Sequence, residues 1–243
     1  MNFELFEKKS ESPDFVMTKC ASNVMMACTY AKTNGDIALI YGEAGLGKTA
    51  ALKEFSKARE GVTYIELNTC DKSPKGVCER ILETFGKPAW GVDRKLVNEI
   101  IHYLKASPTL IILDEAQHLN QRALETLRGI NDVTKMGLVL CGNPTVYDQM
   151  HGKRQAHFAQ LYSRIGLRRR ATVPTKQEIS SIFKKSPLDD DCCELLHKLS
   201  LADGGLRNAV KVYNLAVNLA AASNEALDLL FLQSAYEMVC GDL

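Results

Sequence analysis

The residues with the clearest chemical signature form a glycine-rich segment early in the chain. They match the pattern GxxxxGK[ST] in full, as Gly42, Glu43, Ala44, Gly45, Leu46, Gly47, Lys48 and Thr49. Glycines let the backbone wrap closely around phosphates, so that its amide hydrogens and the start of the following helix face the anion. We expect Lys48 to reach the β- and γ-phosphates and the Thr49 hydroxyl to bind magnesium. The segment therefore predicts a site for ATP with Mg²⁺.

A second chemical feature is the acidic pair Asp114 and Glu115, which closes the apolar run LIIL. Charges at the end of a buried strand are costly unless something needs them. We expect Asp114 to hold the magnesium ion, directly or through water, and Glu115 to polarise an attacking water as general base. The alternative is structural, with Asp114 capping a helix and Glu115 favourably placed at its positive end.

Strand-like and helix-like segments alternate around these residues, which favours a parallel α/β sheet. The predicted strands are residues 36–41, 62–67, 109–113, 137–140 and 168–173, and the first predicted helix spans 48–59. Two amphipathic stretches follow between Pro74 and Lys105, and Ala123, Leu127 and Ile130 indicate the inner face of another helix. After Pro174 the pattern is wholly helical. The predicted organisation is an N-terminal helical segment (1–34), a nucleotide-binding αβα domain (35–174) and a small helical domain (175–243).

Composition limits the remaining function classes. Apolar residues make up 46% of the chain, which excludes a disordered protein. The formal net charge is +1, so any contact with DNA would have to come from a local basic patch. The eight cysteines form no CxxC pair, which favours reduced thiols. No signal peptide is recognisable, and no apolar run approaches the ~18 residues of a membrane span, so an intracellular protein without a membrane segment is expected.

Together, the P-loop (Walker A), the acidic pair (Walker B) and the helical C-terminal region resemble the AAA+ superfamily of three-layer αβα ATPases with a helical lid. The resemblance implies further site residues. Asn143 is similar to the sensor-1 residue that places the attacking water, although it could also simply make a turn before Pro144. Arg164 resembles the arginine finger given to a neighbouring subunit, with Arg168 as the rival. Arg207 resembles the sensor-2 arginine of the lid, or is an ordinary solvated arginine near a helix start.

The sub-family is suggested by the run Asp114–Leu119 (DEAQHL), which resembles the DEAQxL form of transposition-helper ATPases, the group of the phage Mu B protein, TnsC and IstB. This resemblance implies a homo-oligomer, a ring or helical filament with the finger acting in trans, that assembles on double-stranded DNA with ATP and activates a transposase in a bacterial or phage-infected cytoplasm. Two alternatives stay open: a secretion ATPase of the ExeA kind or other protein remodeller, and a replication-initiation or helicase-loading ATPase. Asn68, after the second strand, is a candidate to restrain Glu115 until a ligand binds.

DNA binding would have to come from the ATPase domain itself, because the first predicted strand already begins at Asp36, without room for the N-terminal helix-turn-helix domain of the Mu B protein. The candidate contacts with DNA are Lys72, Lys75, Arg122, Arg128, Lys153 and Arg154. Along the bore of a ring or filament, such side chains would give salt-dependent binding without sequence preference. The alternative is that they are ordinary solvated side chains. The run Arg168–Arg170 is assigned first to the subunit interface.

Overall fold

The protein is built around a five-stranded parallel sheet. The computed structural model describes residues 13–57, 59–151, 162–184 and 188–241. The strands are β1 (Ile37–Tyr41), β2 (Val62–Glu66), β3 (Leu110–Asp114), β4 (Leu138–Gly142) and β5 (Ile165–Arg170). They lie side by side in the order β2-β3-β4-β1-β5, and every neighbouring pair is parallel. The predicted α/β class is confirmed.

Helices connect the strands and form the C-terminal region. Those among the strands are α1 (Lys19–Asn34), α2 (Lys48–Lys57), α3 (Pro74–Thr84), α4 (Asp93–Ala106), α5 (Gln121–Thr134) and α6 (Pro144–His151). Those of the C-terminal region are α7 (Lys176–Ile182), α8 (Asp190–Leu201), α9 (Gly205–Ser223) and α10 (Leu229–Cys240). None of the helices in the described ranges combines the length and apolar character needed to cross a membrane.

Local sequence explains why these elements begin and end where they do. Every residue of β3 and of β4 is buried, as expected of central strands covered on both faces. Asn120 begins α5, where its side chain accepts a hydrogen bond from the backbone of Ala123. The predicted inner face of α5 is confirmed, because Ala123, Leu127 and Ile130 are fully buried. Burying one such leucine or isoleucine side chain contributes roughly 1.5–3 kcal/mol to stability.

The last strand begins earlier than the sequence predicts. β5 starts at Ile165, which is buried and pairs with Ile37 of β1, and it ends at Arg170. The predicted strand 168–173 is therefore wrong in its bounds. The cause is that β5 is anchored by buried Ile165, whereas Arg170 is exposed and the chain leaves the sheet after it.

The chain divides into two compact units. One comprises Ser22–Glu43 and Lys48–Ala171, and its core lies around the sheet. The other comprises Met1–Ala21, Ala44–Gly47 and Thr172–Leu243, with a core that includes Phe183, Leu196 and Leu232. Within this second unit the backbone at Gly205 packs so closely that a Cβ there would lie 3.1 Å from the carbonyl oxygens of Ala44 and Gly45. The domain boundaries predicted from the sequence stay a prediction.

Candidate nucleotide-binding site

The glycine-rich loop runs from the end of β1 to the start of α2. Gly45 and Gly47 adopt φ angles of 78° and 86°, in the left-handed region that residues with a Cβ rarely occupy. Apart from Gly47 and its two chain neighbours, no described residue has a heavy atom within 4 Å of the position that a Cβ would take at Gly47. The loop thus has the backbone conformation and the open space that a phosphate group requires at the start of a helix.

Lys48, the first residue of α2, lies inside this loop with only 9% of its surface exposed. Its Nζ donates to the carbonyl oxygen of Gly42 at 2.8 Å and to that of Glu43 at 2.7 Å. An ammonium group has three donor hydrogens, so these two bonds leave one for a phosphate oxygen. The backbone of the loop therefore holds the lysine in place beside the phosphate cradle.

Asp114 at the end of β3 is the centre of the polar network. Its carboxylate is 1% exposed, and Oδ2 accepts hydrogen bonds from the Thr49 hydroxyl at 2.7 Å and from the Tyr64 hydroxyl at 3.1 Å. Oδ1 accepts from the backbone N–H of Glu115 at 3.0 Å. The two sequence motifs thus meet through the bond between Thr49 and Asp114.

The atoms at this junction fit a magnesium ion. A hydroxyl oxygen and a carboxylate oxygen are hard ligands of the kind that Mg²⁺ binds, usually with few protein groups and with substrate phosphates completing the shell. The described residues contain no group of three His, Cys, Asp or Glu side chains that could hold a metal ion. Thr49 and Asp114 would hold the ion.

Tyr64 is a site residue that the sequence analysis missed. Burial, together with the nearby carboxylates of Asp114 and Glu66, raises the pKa of Tyr64, so its hydroxyl remains a hydrogen-bond donor. Glu66 is in turn held by Lys53, whose hydrogen bond at 2.9 Å lowers the pKa of the Glu66 carboxyl. Nothing in the strand VTYIE distinguishes Tyr64 from a core aromatic residue, so only its position beside Asp114 reveals its role.

Glu115 follows Asp114 in a left-handed conformation, with φ 57° and ψ 38°. Such a backbone costs a non-glycine residue on the order of 1–3 kcal/mol and persists only where the surroundings impose it. The Glu115 carboxylate accepts a hydrogen bond from Nε2 of Gln117. Asp114 makes no capping bond to the short 3-10 turn Ala116–His118, because the residue at the capping position is Glu115 itself.

Asn68 lies at the start of a short turn. Its side-chain oxygen accepts from the backbone of Cys70 at 2.7 Å and caps the 3-10 turn Thr69–Lys72. The side chain bonded to Glu115 in this structure is Gln117, and the role of Asn68 as a restraining residue stays a prediction.

Asn143 directly follows β4. Because β4 lies between β3 and β1 in the sheet, Asn143 lies between the glycine-rich loop and the acidic pair. Its backbone N–H donates to Oε1 of Gln117 at 3.2 Å, and its side-chain oxygen accepts from the backbone of Thr145 at 3.1 Å. Asn143 therefore does shape the turn into α6, while it also lies at the edge of the sheet where the carboxyl ends of β1, β3 and β4 meet. Ligands of open parallel sheets bind at this edge.

Comparison with known proteins is consistent with this geometry. Residues 31–150 match the family model described as "AAA domain". Over this stretch, just under half of its length, the chain is similar to AAA domains. It is 29% identical over 229 residues to "ATP-dependent target DNA activator B" of Escherichia phage Mu, covering 93% of this chain and 73% of that protein. It is also 28% identical over 208 residues to "Mu-like prophage FluMu DNA transposition protein B" of Haemophilus influenzae, covering 84% of this chain and 72% of that protein. The resemblance to transposition-helper AAA+ proteins is confirmed.

Solved structures share the fold of this chain. The chain superimposes on Drosophila ORC bound to DNA with a TM-score of 0.65 and 17% identity, covering 98% of this chain and 65% of that one. Domain III of the Thermotoga maritima replication initiation protein DnaA gives a TM-score of 0.60 and 16% identity, covering 100% and 99%. At these identities the likeness establishes the fold.

The three arginines assigned from the AAA+ resemblance have different surroundings. Arg164 lies just before β5 with 60% of its side chain exposed, and its Nη1 is 3.9 Å from Oδ1 of Asp132. Arg168, inside β5, donates to the carbonyl oxygen of Tyr162 at 2.5 Å, and its guanidinium carbon lies 3.8 Å from the centre of the Tyr162 ring. Arg207 is exposed on the first turn of α9. Arg164 is thus extended towards solvent, whereas Arg168 is engaged within its own chain.

The candidate DNA contacts also differ from one another. Lys72, Lys75 and Arg122 are exposed, and the carbonyl oxygen of Lys72 accepts from the backbone of Asn120, which joins the turn before α3 to the start of α5. Arg128 is half-buried and bonded to Glu125 at 2.9 Å and to Asp132 at 2.8 Å. Lys153 and Arg154 lie outside the described residues.

Proposed function

We propose that this protein is a Mg²⁺-dependent AAA+ ATPase that oligomerises on double-stranded DNA and acts as target selector and activator for a DNA transposase. The observation that carries the proposal is the similarity to target DNA activator B over 93% of the chain, which extends well beyond the AAA domain, combined with an intact nucleotide site. The relatives are named for ATP-dependent activation of target DNA and for DNA transposition. The proposed setting is a bacterial or phage-infected cytoplasm.

In the proposed reaction, the loop from Gly42 to Thr49 binds the phosphates, and Lys48 supplies the cation nearest to them. Magnesium held by Thr49 and Asp114 would neutralise charge that develops on the phosphoryl oxygens. Glu115 is the proposed base that accepts the proton of the attacking water, and Asn143 is the proposed residue that orients this water. Arg207 is the proposed sensor-2 residue.

The proposed oligomer requires an arginine finger, for which Arg164 and Arg168 are the candidates. An arginine finger must reach a phosphate bound by a neighbouring subunit. Arg164 is exposed, and its ion pair with Asp132 at 3.9 Å can be broken at little cost. Arg168 is a poorer candidate, because its use in trans would break the bond to Tyr162 and the contact with the aromatic ring. We therefore assign the finger to Arg164.

The proposed DNA surface comprises Lys72, Lys75 and Arg122. Lys72 and Arg122 belong to segments joined by a backbone hydrogen bond, so their charges act on the same surface region. Among the described residues, Lys75 has one ion pair, with Glu79 at 3.7 Å, which DNA phosphates can replace. Arg128 is already neutralised by two carboxylates, and we assign it a structural role within α5.

The first test is binding to a random-sequence DNA duplex without nucleotide, with ADP and with a slowly hydrolysed ATP analogue, across a salt series and with electron micrographs of each sample. The proposal predicts rings or filaments on DNA only with the ATP analogue. These samples should then stimulate strand transfer by a DNA transposase. Nucleotide binding without DNA binding in any state would refute the DNA half of the proposal and favour a protein-remodelling ATPase.

Substitutions can locate the DNA surface by their effect on salt dependence. The slope of log K against log salt is negative, and each lost phosphate contact makes it less steep by about 0.9. Lys72→Ala and Arg122→Ala should each show this decrease per subunit. Arg128→Ala is the matched control, since it removes the same charge from the helix that carries Arg122 and should leave the slope unchanged.

A further inference from the structure

We infer that Gln117 is a positioning residue that couples Asn143, at the end of β4, to the carboxylate of Glu115, at the end of β3. The inference deepens the proposed function and rests on it, because it takes Glu115 as the general base. Gln117 lies in the 3-10 turn that follows Glu115, where its side chain is half-buried.

The contacts of Gln117 use both ends of its carboxamide. Nε2 donates to Oε2 of Glu115, and Oε1 accepts from the backbone N–H of Asn143 at 3.2 Å. One side chain thus bridges two neighbouring strand ends. A carboxamide supplies both the donor and the acceptor, whereas a carboxylate lacks the donor and a thioether has no donor and only a weak acceptor.

The backbone around Gln117 leaves the bridge little freedom. Glu115 is in the left-handed conformation, its N–H is bonded to Oδ1 of Asp114, and its carbonyl oxygen accepts from the backbone of His118 at 3.0 Å. On the other side, a Cβ added at Gly142 would lie 2.5 Å from Oε1 of Gln117. The carboxamide therefore packs directly against the last residue of β4.

The consequence is a mechanical connection between the two strand ends. Gln117 fixes the Glu115 carboxylate relative to the backbone of Asn143, so any movement of Asn143 that accompanies nucleotide binding is transmitted to Glu115. A base must be held within hydrogen-bond reach of the water that it deprotonates. Without the bridge, Glu115 keeps its charge but loses its fixed position.

The test replaces Gln117 with methionine, which keeps the length of the side chain and removes both hydrogen bonds. Outer-shell partners of this kind typically contribute 10–100-fold to activity. We expect kcat for ATP hydrolysis to fall by about that factor, while the Kd for a slowly hydrolysed ATP analogue changes less than about twofold, because the bridge touches no phosphate-binding group. Gln121→Met, the same substitution on the first turn of α5, is the matched control and should leave kcat unchanged.

A second variant perturbs the bridge without altering Gln117. Gly142→Ala places a methyl group against Oε1 and should displace the carboxamide, with a fall in kcat in the same direction. In the nucleotide-free protein, hydrogen exchange at the Asn143 amide should become at least about tenfold faster in Gln117→Met, because this partly buried N–H loses its acceptor. Unchanged exchange would show that the bridge does not exist in solution and would overturn the inference.

A double-mutant cycle separates this inference from the proposed function. If Gln117 acts through Glu115, Gln117→Met should cause no further loss of kcat in a protein that already carries Glu115→Gln. An additive loss would assign Gln117 a general structural role, and a rise in kcat of Gln117→Met would make it an inhibitory latch; either result overturns the inference. Full turnover by Glu115→Gln alone would instead refute the proposed base and leave the measured bridge intact.

Discussion

Removing the Tyr64 hydroxyl should weaken magnesium binding without weakening nucleotide binding. In Tyr64→Phe, Oδ2 of Asp114 loses the donor at 3.1 Å and keeps the hydrogen bond from the Thr49 hydroxyl. The ring stays, so the packing of β2 is preserved. The Asp114 carboxylate is then held less firmly in one orientation. A hydrogen bond to a carboxylate that binds a metal fixes the orientation of that carboxylate.

The size of this effect follows from the geometry. A hydrogen bond to a charged group contributes roughly 1.5–3 kcal/mol. The bond from Tyr64 lies at the weak end, because 3.1 Å is longer than the usual O–H···O distance and the tyrosine is only half-buried. A loss of about 1.4 kcal/mol corresponds to a factor of ten in an equilibrium constant. The half-saturating Mg²⁺ concentration for hydrolysis should therefore rise about tenfold.

The assay is a magnesium titration of ATP hydrolysis at saturating nucleotide, paired with binding of a fluorescent ATP analogue in EDTA. Tyr103→Phe is the control, since Tyr103 stacks on Phe85 and no hydrogen bond of its hydroxyl is found among the described residues. An unchanged half-saturating concentration in Tyr64→Phe would refute the idea that Tyr64 orients Asp114. A loss of analogue binding in EDTA would show instead that the substitution distorts the phosphate loop.

Three further predictions concern the proposed hydrolysis. Lys48→Ala should reduce binding of a fluorescent ATP analogue by at least about 100-fold, because the loop loses its buried cation and two bonds to its backbone; near-normal affinity would exclude the P-loop assignment. Glu115→Gln should bind ATP normally, hydrolyse it at least about 100-fold more slowly and prolong the lifetime of DNA complexes, as measured by turnover and dissociation rates. Arg164→Ala should abolish hydrolysis in the assembly with nucleotide binding intact, whereas Arg168→Ala should mainly lower the free energy of unfolding by about 1 kcal/mol; the reverse pattern would make Arg168 the finger.

The features that could be predicted from the sequence are those formed by contiguous residues. The strands β1, β2, β3 and β4 were located within one or two residues, because each is a short apolar run next to turn or polar residues. The residues of the two proposed nucleotide motifs could be read from the sequence for the same reason, since each motif is a continuous segment. The structure adds the contact that joins them, between Thr49 and Asp114.

The features that sequence reasoning missed depend on which strands are neighbours. The sequence showed Gln117 only as part of a motif, without its two partners, Glu115 and Asn143. Asn143 can bond to Gln117 because β4 lies beside β3 in the sheet. Asn68 is a candidate to restrain Glu115 by its place after β2. A short asparagine side chain bonds readily to the backbone two residues ahead, and Asn68 makes this local interaction in this structure.

Tyr64 shows most clearly what a parallel register decides. In the pairing of β2 with β3, Tyr64 lies opposite Ile112 and Glu66 lies opposite Asp114. Side chains of one strand alternate between the two faces of a sheet, so Tyr64, Glu66, Ile112 and Asp114 share a face, and the long tyrosine side chain reaches diagonally to the carboxylate. A shift of one residue would turn Tyr64 to the opposite face and bring Thr63 or Ile65 beside Asp114 instead. Neither could donate from that distance, so the orientation of the proposed magnesium ligand depends on a register that no short segment of either strand encodes.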